Sequence, residues 1–168
     1  CVQLDHSSRM NKVFIAASLD GYIADADGRI DWLEMISNPD QLDMGYDGFI
    51  QSVDAIVMGK KTFETVLGFD IPWPYSLPVF VASRTLSILP NGLEKKVNLV
   101  QGSPTEIVEL IHKKGFHHIY IDGGNVIHQF LEADLIDELT ITRFPILLGK
   151  GVPLFAELDN KRIFELVN

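Results

Sequence analysis

Hydrophobic residues in this chain form short apolar runs that alternate with stretches of helical periodicity. The apolar runs predict strands at 13–18, 22–24, 54–59, 77–82, 97–100 and 138–144, and one more strand that ends just before Gly123. Strands that alternate with helices are typical of an α/β fold with a mostly parallel central sheet and helices on both faces. We predict one such domain, with an antiparallel strand at 164–167 forming its C-terminal edge.

Helical periodicity predicts the elements between these strands. A short helix is expected at 62–67, and the pair Ser103 and Glu106 predicts a capping box at the start of another helix. An earlier helix is expected where apolar residues share one face, although Gly45 and Gly48 weaken its first part. The residues on that face are Leu42, Tyr46, Phe49, Ile50 and Val53.

Composition is that of an ordinary globular protein and argues against several partners. The 168 residues are 46% hydrophobic and 22% charged, which is enough for one domain with a substantial core. A net charge of −9 argues against nucleic acid or an anionic membrane as a partner. The single Cys1 provides no disulfide framework and no cysteine metal motif, so we expect a cytoplasmic protein without a bound metal.

The first residues, 1–9, are polar and aperiodic, and a Met-Asn-Lys sequence typical of a translation start follows them. We therefore expect 1–9 to be a tag or a tail. The folded domain is expected to comprise 10–168.

Residues suited to anions follow three of the predicted strands. Glycines allow a ligand to approach the backbone, and the first N–H groups of a helix lack partners, which suits a phosphate or pyrophosphate. Because ligands bind at the carboxyl ends of the strands in such sheets, the three ends together indicate a nucleotide site. Taken one by one, they are also explained by solvated lysines, a polar turn and a tight turn. The three groups are Gly59, Lys60, Lys61 and Thr62; Ser83 and Arg84; and Gly123 and Gly124.

Several segments resemble the motifs of dihydrofolate reductase-like proteins. They are 15–24, which contains Ser18-Leu19-Asp20-Gly21, and the shorter segments 57–62, 81–84 and 121–124. The first of these and the ending at 137–155 resemble most closely the branch that contains the reductase domain of bacterial riboflavin-biosynthesis deaminase/reductases. The resemblance covers nearly the whole chain from Met10 and implies a single-domain dihydrofolate reductase-like fold.

This resemblance implies that NADPH is the cofactor. Gly123 and Gly124 would contact its pyrophosphate. Ser83 and Arg84 would bind the 2′-phosphate, which distinguishes NADPH from NADH. Asn125 stands where dihydrofolate reductases carry an Arg that adds to the phosphate site. The remaining implied contacts are Gly59, Lys60, Lys61 and Thr62 on the pyrophosphate and adenosine side, Ala16, Ala17, Ile23 and Ala24 around the nicotinamide, and Val126 and Ile127 after the glycine pair.

Catalytic and substrate-binding residues are inferred by position. Dihydrofolate reductases carry a carboxylate on their first helix, and counting back from Gly59 places it near Asp43, although solvated helix carboxylates are the alternative. Asp20 is predicted to lie beside the nicotinamide, and an Asx-type turn before Gly21 explains it equally well. The predicted catalytic residues are Asp20 and Asp43. The predicted substrate contacts are Trp32, Tyr46 and Asp47, although core or loop packing would explain Trp32 and Tyr46 equally well.

Two functions are compatible with these features. The first is an NADPH-dependent reductase of a small heterocyclic substrate, of the 5-amino-6-(5-phosphoribosylamino)uracil reductase or dihydrofolate reductase kind that the resemblance implies. The alternative is a non-catalytic nucleotide-binding module with a sensing or partner-binding role. The resemblance and the apolar run at 145–148 also predict a homodimer.

Overall fold

The computed structural model describes residues 9–38, 44–69 and 71–167. The strands are β1 (Met10–Ser18), β2 (Tyr22–Ala24), β3 (Ala55–Gly59), β4 (Val79–Ala82), β5 (Val97–Val100), β6 (His118–Asp122), β7 (Glu138–Phe144) and β8 (Val152–Pro153). The helices are α1 (Tyr46–Gln51), α2 (Lys60–Leu67), α3 (Pro104–Lys113) and α4 (Gly124–Glu132), with a 3₁₀ helix at Asp31–Met35. No helix within the described ranges is both long and apolar enough to cross a membrane.

A six-stranded sheet in the order β5-β4-β3-β6-β1-β7 forms the centre of the domain. Every pairing within it is parallel. Strands β2 and β8 form a separate antiparallel pair. The predicted α/β fold with a mostly parallel sheet is therefore confirmed.

The predicted antiparallel edge strand at 164–167 is wrong. The structure has no strand there, and Ile163 and Leu166 are 95% and 90% exposed. The edge of the sheet on this side is β7, which runs parallel to β1. Apolar alternation produces a strand only where a neighbouring strand pairs with it, and no described strand reaches this segment.

Apolar residues form a core on each face of the sheet, with α3 and α4 on one face and α1 and α2 on the other. The first core includes Val57, Phe80, Ile119, Ile121, Ile111 and Ile127. The second core includes Met58, Val81, Tyr120, Phe49 and Phe63. Because side chains alternate along a strand, Asp122 lies on the same face as Tyr120, which is the face covered by α1 and α2.

Helix boundaries differ from the prediction where glycine determines them. The first helix begins only at Tyr46, because Gly45 has a φ of +89° that ends regular helix geometry. Leu42 lies outside the described residues. Helix α2 begins at Lys60, two positions before the predicted start, with Gly59 as its N-cap. The predicted capping box of α3 is confirmed, because Ser103 Oγ accepts from Glu106 N at 3.2 Å and the Glu106 carboxylate accepts from Ser103 N at 3.3 Å.

Candidate functional site

The carboxyl ends of β3, β4 and β6 lie side by side. In the sheet register Gly59 pairs with Ala82, and Met58 pairs with Asp122. The three groups of anion-binding residues predicted from the sequence follow directly after these positions. The structure therefore brings them to one edge of the sheet, as the prediction requires.

The glycines at these junctions allow very close approach between elements. Gly123 has a φ of +100°, and a Cβ there would overlap Thr62 Oγ1. A Cβ on Gly124 would lie 2.8 Å from Ile23 Cδ1. Residues predicted separately from three segments are thus packed against one another. Gly123 is required both by its backbone conformation and by the lack of space.

The N-termini of α2 and α4 are adjacent and carry no side-chain cap. Their N-cap residues are Gly59 and Gly123, which have no side chain that could cap the helix, and no side chain in the described part of the chain is seen to replace it. The first N–H groups of a helix have no partner within the helix. Helix α3, by contrast, has the complete capping box described above. Two neighbouring helix ends therefore present backbone donors, and the positive ends of their dipoles, toward the same region.

A cation and two hydroxyl groups extend this region onto the end of β4. Lys60 Nζ donates to Thr85 Oγ1 at 3.2 Å and lies 3.8 Å from the Glu64 carboxylate. Ser83 Oγ accepts from the backbone N–H groups of Thr85 and Leu86 and so shapes the turn. Arg84 is exposed in this turn. Ser83 thus has a structural function in addition to any contact with a ligand.

The other predicted cofactor residues differ in accessibility. The side chains of Val126 and Ile127 are 5% and 0% exposed and pack in the first core, so only their backbone could contact a ligand. Ala17 is also fully buried, whereas Ile23 lies beside the glycine pair. Of the rest, Lys61 and Asn125 are exposed, Ala16 is half-buried and Ala24 is buried.

Asp20 holds two loops together. Its carboxylate accepts from Ser18 Oγ at 2.5 Å, from Leu148 N at 3.1 Å and from Gly149 N at 2.8 Å. The hydrogen bond from Ser18 lowers the pKa of Asp20 below its ordinary value, so the group is ionised at neutral pH and unsuited to donating a proton. Asp20 therefore stabilises the contact between the two loops. Asp43, the other predicted catalytic residue, lies outside the described residues.

Asp122 is the functional candidate that the sequence prediction missed. It ends β6, immediately before Gly123, and burial raises its pKa to about 6, with a hydrogen bond from the Gly123 backbone partly opposing that shift. Burial is the main cause of the raised pKa values of Tyr46, Tyr75 and Tyr120, and the negative charge of Asp122 raises them further. A carboxyl group that binds its proton this strongly, at the end of a central strand, is a candidate proton donor.

Aromatic side chains pack together on the face of the sheet that carries Asp122. Phe14 stacks on Phe49 at 4.9 Å between ring centroids and meets Tyr46 edge-on at 5.9 Å. Phe49 in turn contacts Tyr120 at 4.9 Å, and Tyr120 Oη donates to the Phe14 carbonyl at 3.1 Å. Tyr75 contacts Trp73 at 5.2 Å. We call Tyr46, Tyr75, Tyr120 and Asp122 the carboxyl pocket.

The predicted substrate residues occupy different places. Tyr46 belongs to the carboxyl pocket, and Asp47 is the next residue on α1, where its charge contributes to the raised pKa of Tyr46. Trp32 is only 3% exposed and packs edge-on against Phe144 at 5.9 Å. Its Nε1 is buried without a hydrogen-bond partner among the described residues. The described ring contacts do not join Trp32 to the pocket.

Comparison with known proteins agrees with this geometry. A family model described as the RibD C-terminal domain matches residues 12–168. The uncharacterized protein YwjB of Bacillus subtilis (strain 168) is 36% identical over 158 residues, covering 91% of this chain and 86% of the relative. A protein of Shewanella sp. PV-4 that is named for riboflavin biosynthesis has a similar crystal structure. It is 52% identical with a TM-score of 0.91, and the match covers 95% of this chain and 90% of that one.

Two more distant structures share the fold. The diaminohydroxyphosphoribosylaminopyrimidine deaminase/5-amino-6-(5-phosphoribosylamino)uracil reductase of Thermotoga maritima is 17% identical with a TM-score of 0.70, covering 95% of this chain and 52% of that one. Dihydrofolate reductase from Enterococcus faecalis, complexed with NADP(H), is 19% identical with a TM-score of 0.60, covering 90% of this chain and 80% of that one. The dihydrofolate reductase-like fold implied by the sequence motifs is confirmed.

Proposed function

The chain belongs to the RibD C-terminal domain family, and on that premise we propose that it is an NADPH-dependent reductase of a small heterocyclic substrate. The observation that carries this proposal is the pair of uncapped helix N-termini at the ends of β3 and β6. A dinucleotide pyrophosphate supplies the acceptors that these N–H groups lack. The Enterococcus faecalis reductase of the same fold is named as a complex with NADP(H).

The residues present fit this cofactor. The N–H groups that begin α2 and α4 would hold the pyrophosphate, and Ile23 lies beside the glycine pair, next to the expected nicotinamide position. Lys60, Arg84 and the hydroxyl groups around them would hold a 2′-phosphate. When bound, NADPH would supply a hydride.

Asp122 would supply the proton that accompanies the hydride. A group with a pKa of about 6 is protonated in roughly a tenth of the molecules at neutral pH, which is enough for a general acid. Burial of the Asp122 carboxyl group favours its protonated form, and the nearby Tyr120 is fixed by its hydrogen bond to the Phe14 carbonyl. The carboxyl pocket would also receive the ring of the substrate, because aromatic walls favour planar ligands.

Substitution of Arg84 by Ala is expected to weaken NADPH binding by about 1–3 kcal/mol, the scale of a charge-assisted hydrogen bond. NADH lacks the 2′-phosphate, so its affinity should change little. Titration calorimetry with both cofactors measures the difference, with the exposed Lys114→Ala on the opposite side of the sheet as a control. An equal loss for NADPH and NADH would show that Arg84 does not bind the 2′-phosphate.

We also propose that the protein is cytoplasmic and acts as a homodimer. Exposed apolar residues accumulate after β7, with Leu147 at 71%, Phe155 at 43% and Leu166 at 90% exposure. Large apolar side chains that would otherwise face water favour a surface covered by another chain. Sedimentation at micromolar concentration should show a dimer, and Leu147→Asp should shift it toward the monomer. A wild-type monomer would contradict the proposal.

The reductase function is tested in two steps. NADPH should raise the melting temperature of the protein, because a ligand that binds only the folded state stabilises it. A set of pyrimidines and pteridines that can accept a hydride is then screened. Turnover is followed by the loss of the absorbance of the reduced nicotinamide. Absence of NADPH binding contradicts the proposal. Binding without turnover of any member of the set favours the non-catalytic nucleotide-binding alternative.

A further inference from the structure

We propose that Asp20 is a positioning residue for the nicotinamide half of the cofactor. This inference rests on the proposed reductase function and gives a part in it to a residue that does not itself touch the ligand. The carboxylate of Asp20 fixes the segment 19–24, which comprises the turn after β1 and strand β2, so that Ile23 lies against the glycine pair.

The order of the strands places this segment at the nicotinamide half. The carboxyl ends of β4, β3, β6 and β1 follow one another in the sheet. The 2′-phosphate is proposed to bind after β4, and the pyrophosphate is proposed to bind at the helix ends after β3 and β6. A dinucleotide that extends along this edge therefore brings its nicotinamide half to the end of β1, where the segment 19–24 begins.

Asp20 connects this segment to the one between β7 and β8. Its carboxylate accepts from the backbone N–H groups of Leu148 and Gly149 at 3.1 and 2.8 Å. It also accepts from the hydroxyl group of Ser18, which is fully buried. Ser18 Oγ in turn accepts at 2.9 Å from the backbone N–H group of Tyr22, the first residue of β2. One carboxylate therefore joins the end of β1, the start of β2 and the segment after β7.

The position of β2 depends on contacts of this kind. The strand is three residues long and pairs with the two residues of β8, outside the six-stranded sheet. A pair of strands this short is not stable by itself in water. The amino end of β2 is held by the bonds just described and by one from the Leu154 N–H group to the Gly21 carbonyl at 2.9 Å. At its other end, a Cβ on Gly151 would overlap the Ala24 carbonyl.

Ile23 transmits this arrangement to the cofactor site. Its Cδ1 lies 2.8 Å from where a Cβ on Gly124 would be, so the side chain fills the space beside the first residue of α4. Asp20→Asn replaces one acceptor oxygen by an NH₂ group, which cannot accept from the donors around it. The segment 19–24 would then be less firmly held against the glycine pair. Ordering it again on binding would lower the affinity for the nicotinamide half.

Two ligands that differ in the nicotinamide half test this inference. NADP⁺ contains it, whereas 2′,5′-ADP keeps the adenosine and the 2′-phosphate without it. Calorimetry should show that Asp20→Asn weakens NADP⁺ binding by about tenfold, the effect of losing one hydrogen bond to a charged group. Binding of 2′,5′-ADP should change by less than about twofold. Equal losses for the two ligands, or no loss for either, would overturn the inference.

The matched control is Asp25→Asn. The carboxylate of Asp25 also accepts from two backbone N–H groups, those of Asp27 and Arg29 at 2.9 Å each, but both belong to its own turn. This variant should leave both affinities unchanged. If it reproduced the selective loss of NADP⁺ binding, the loss would follow from loosening any turn in this region, and Asp20 would have no positioning role.

A double-mutant cycle tests whether Asp20 acts through Ile23. Ile23→Ala removes the contact with the glycine pair, so adding Asp20→Asn to it should weaken NADP⁺ binding by less than about threefold further. A further loss of the full tenfold would show that the two residues act independently, against the inference.

Ser18→Ala supplies a second variant, which decides the question if Asp20→Asn does not fold. It keeps the bonds of Asp20 to Leu148 and Gly149 but removes the link to Tyr22, so the same selective loss of NADP⁺ binding is expected. An equal loss of both ligands would refute the inference alone. Failure of the wild type to bind NADP⁺ would refute the proposed function, and this inference with it.

Discussion

Asp122→Asn is expected to lower kcat by about 10²- to 10⁴-fold, the usual contribution of a positioned general acid. Asn keeps the shape of the side chain but has no carboxyl proton to donate. Binding of NADPH should change little, because the proposed pyrophosphate contacts are the backbone N–H groups that begin α2 and α4, not the Asp122 side chain. Steady-state kinetics and calorimetry separate the two effects. The control is Asp27→Asn, an exposed carboxylate in the turn that follows β2, which should retain full activity.

The pH dependence of kcat/KM, measured for the wild type and for Asp122→Asn, gives a second test. In the wild type, kcat/KM should be level below a pH of about 6 and should then fall about tenfold per pH unit, because the acid form of Asp122 is lost. The low residual activity of Asp122→Asn should lack this transition. A wild-type profile without a group of this pKa would show that the proton comes from elsewhere.

Asp122→Asn should raise the stability of the protein at neutral pH although it lowers the activity. The pKa of Asp122 is raised from 3.8 to about 6 by burial, so the folded state holds the proton more tightly than the unfolded state does. The stabilising effect of that proton is complete below a pH of about 4 and is lost as the pH rises through about 6. Above that pH the wild type carries a half-buried, poorly solvated charge that Asn lacks. Asp122→Asn should therefore be more stable by about 1–3 kcal/mol at neutral pH, measured by denaturant unfolding.

Gly124→Ala is expected to remove the stabilisation by cofactor. A ligand at about 100 times its Kd stabilises a protein by about 2.7 kcal/mol, and this gain should fall close to zero in the variant. The added Cβ would displace Ile23 Cδ1, which lies 2.8 Å away, and would obstruct the backbone surface where the pyrophosphate is proposed to bind. The free protein should lose little stability, because Gly124 has no positive φ and begins a helix.

Gly123→Ala provides the contrast on the neighbouring residue. Its φ of +100° and the overlap with Thr62 Oγ1 both oppose a side chain. This variant should lose about 1 kcal/mol or more of stability even without cofactor. If Gly124→Ala instead destabilised the free protein and kept its cofactor affinity, the glycine pair would be only a turn.

The fold and the convergence of the three anion-suited strand ends could be predicted from the sequence because each depends on local patterns. Apolar runs predicted the strands, and parallel strands bring their carboxyl ends to one edge, so Gly59, Ser83 and Gly123 had to converge. The capping box of Ser103 is equally local. Its contrast with the uncapped ends of α2 and α4 became visible only in three dimensions.

The surroundings of Asp122 depend on contacts between distant segments, and the sequence prediction was correspondingly incomplete. Asp122 follows an apolar run, and neither its burial nor the effect of its charge on the pKa values of Tyr46 and Tyr75 can be read from a local pattern. The one local signal was its alternation with Tyr120, which places both on one face. Asp20 had two explanations from sequence, and its bonds to Leu148 and Gly149 involve a loop that no local pattern connects to it.

Binding of a dinucleotide at the paired helix N-termini can be followed through the backbone amide resonances during a titration with NADP⁺. We predict that the largest shifts occur at the first residues of α2 and α4, in 60–62 and 124–126, with the turn at 83–85 next. The amides of α3, whose N-terminus is capped by Ser103 and Glu106, should move least. Shifts confined to α3 or to the exposed C-terminal segment, or no shifts at saturating NADP⁺, would show that no dinucleotide binds at the N-termini of α2 and α4.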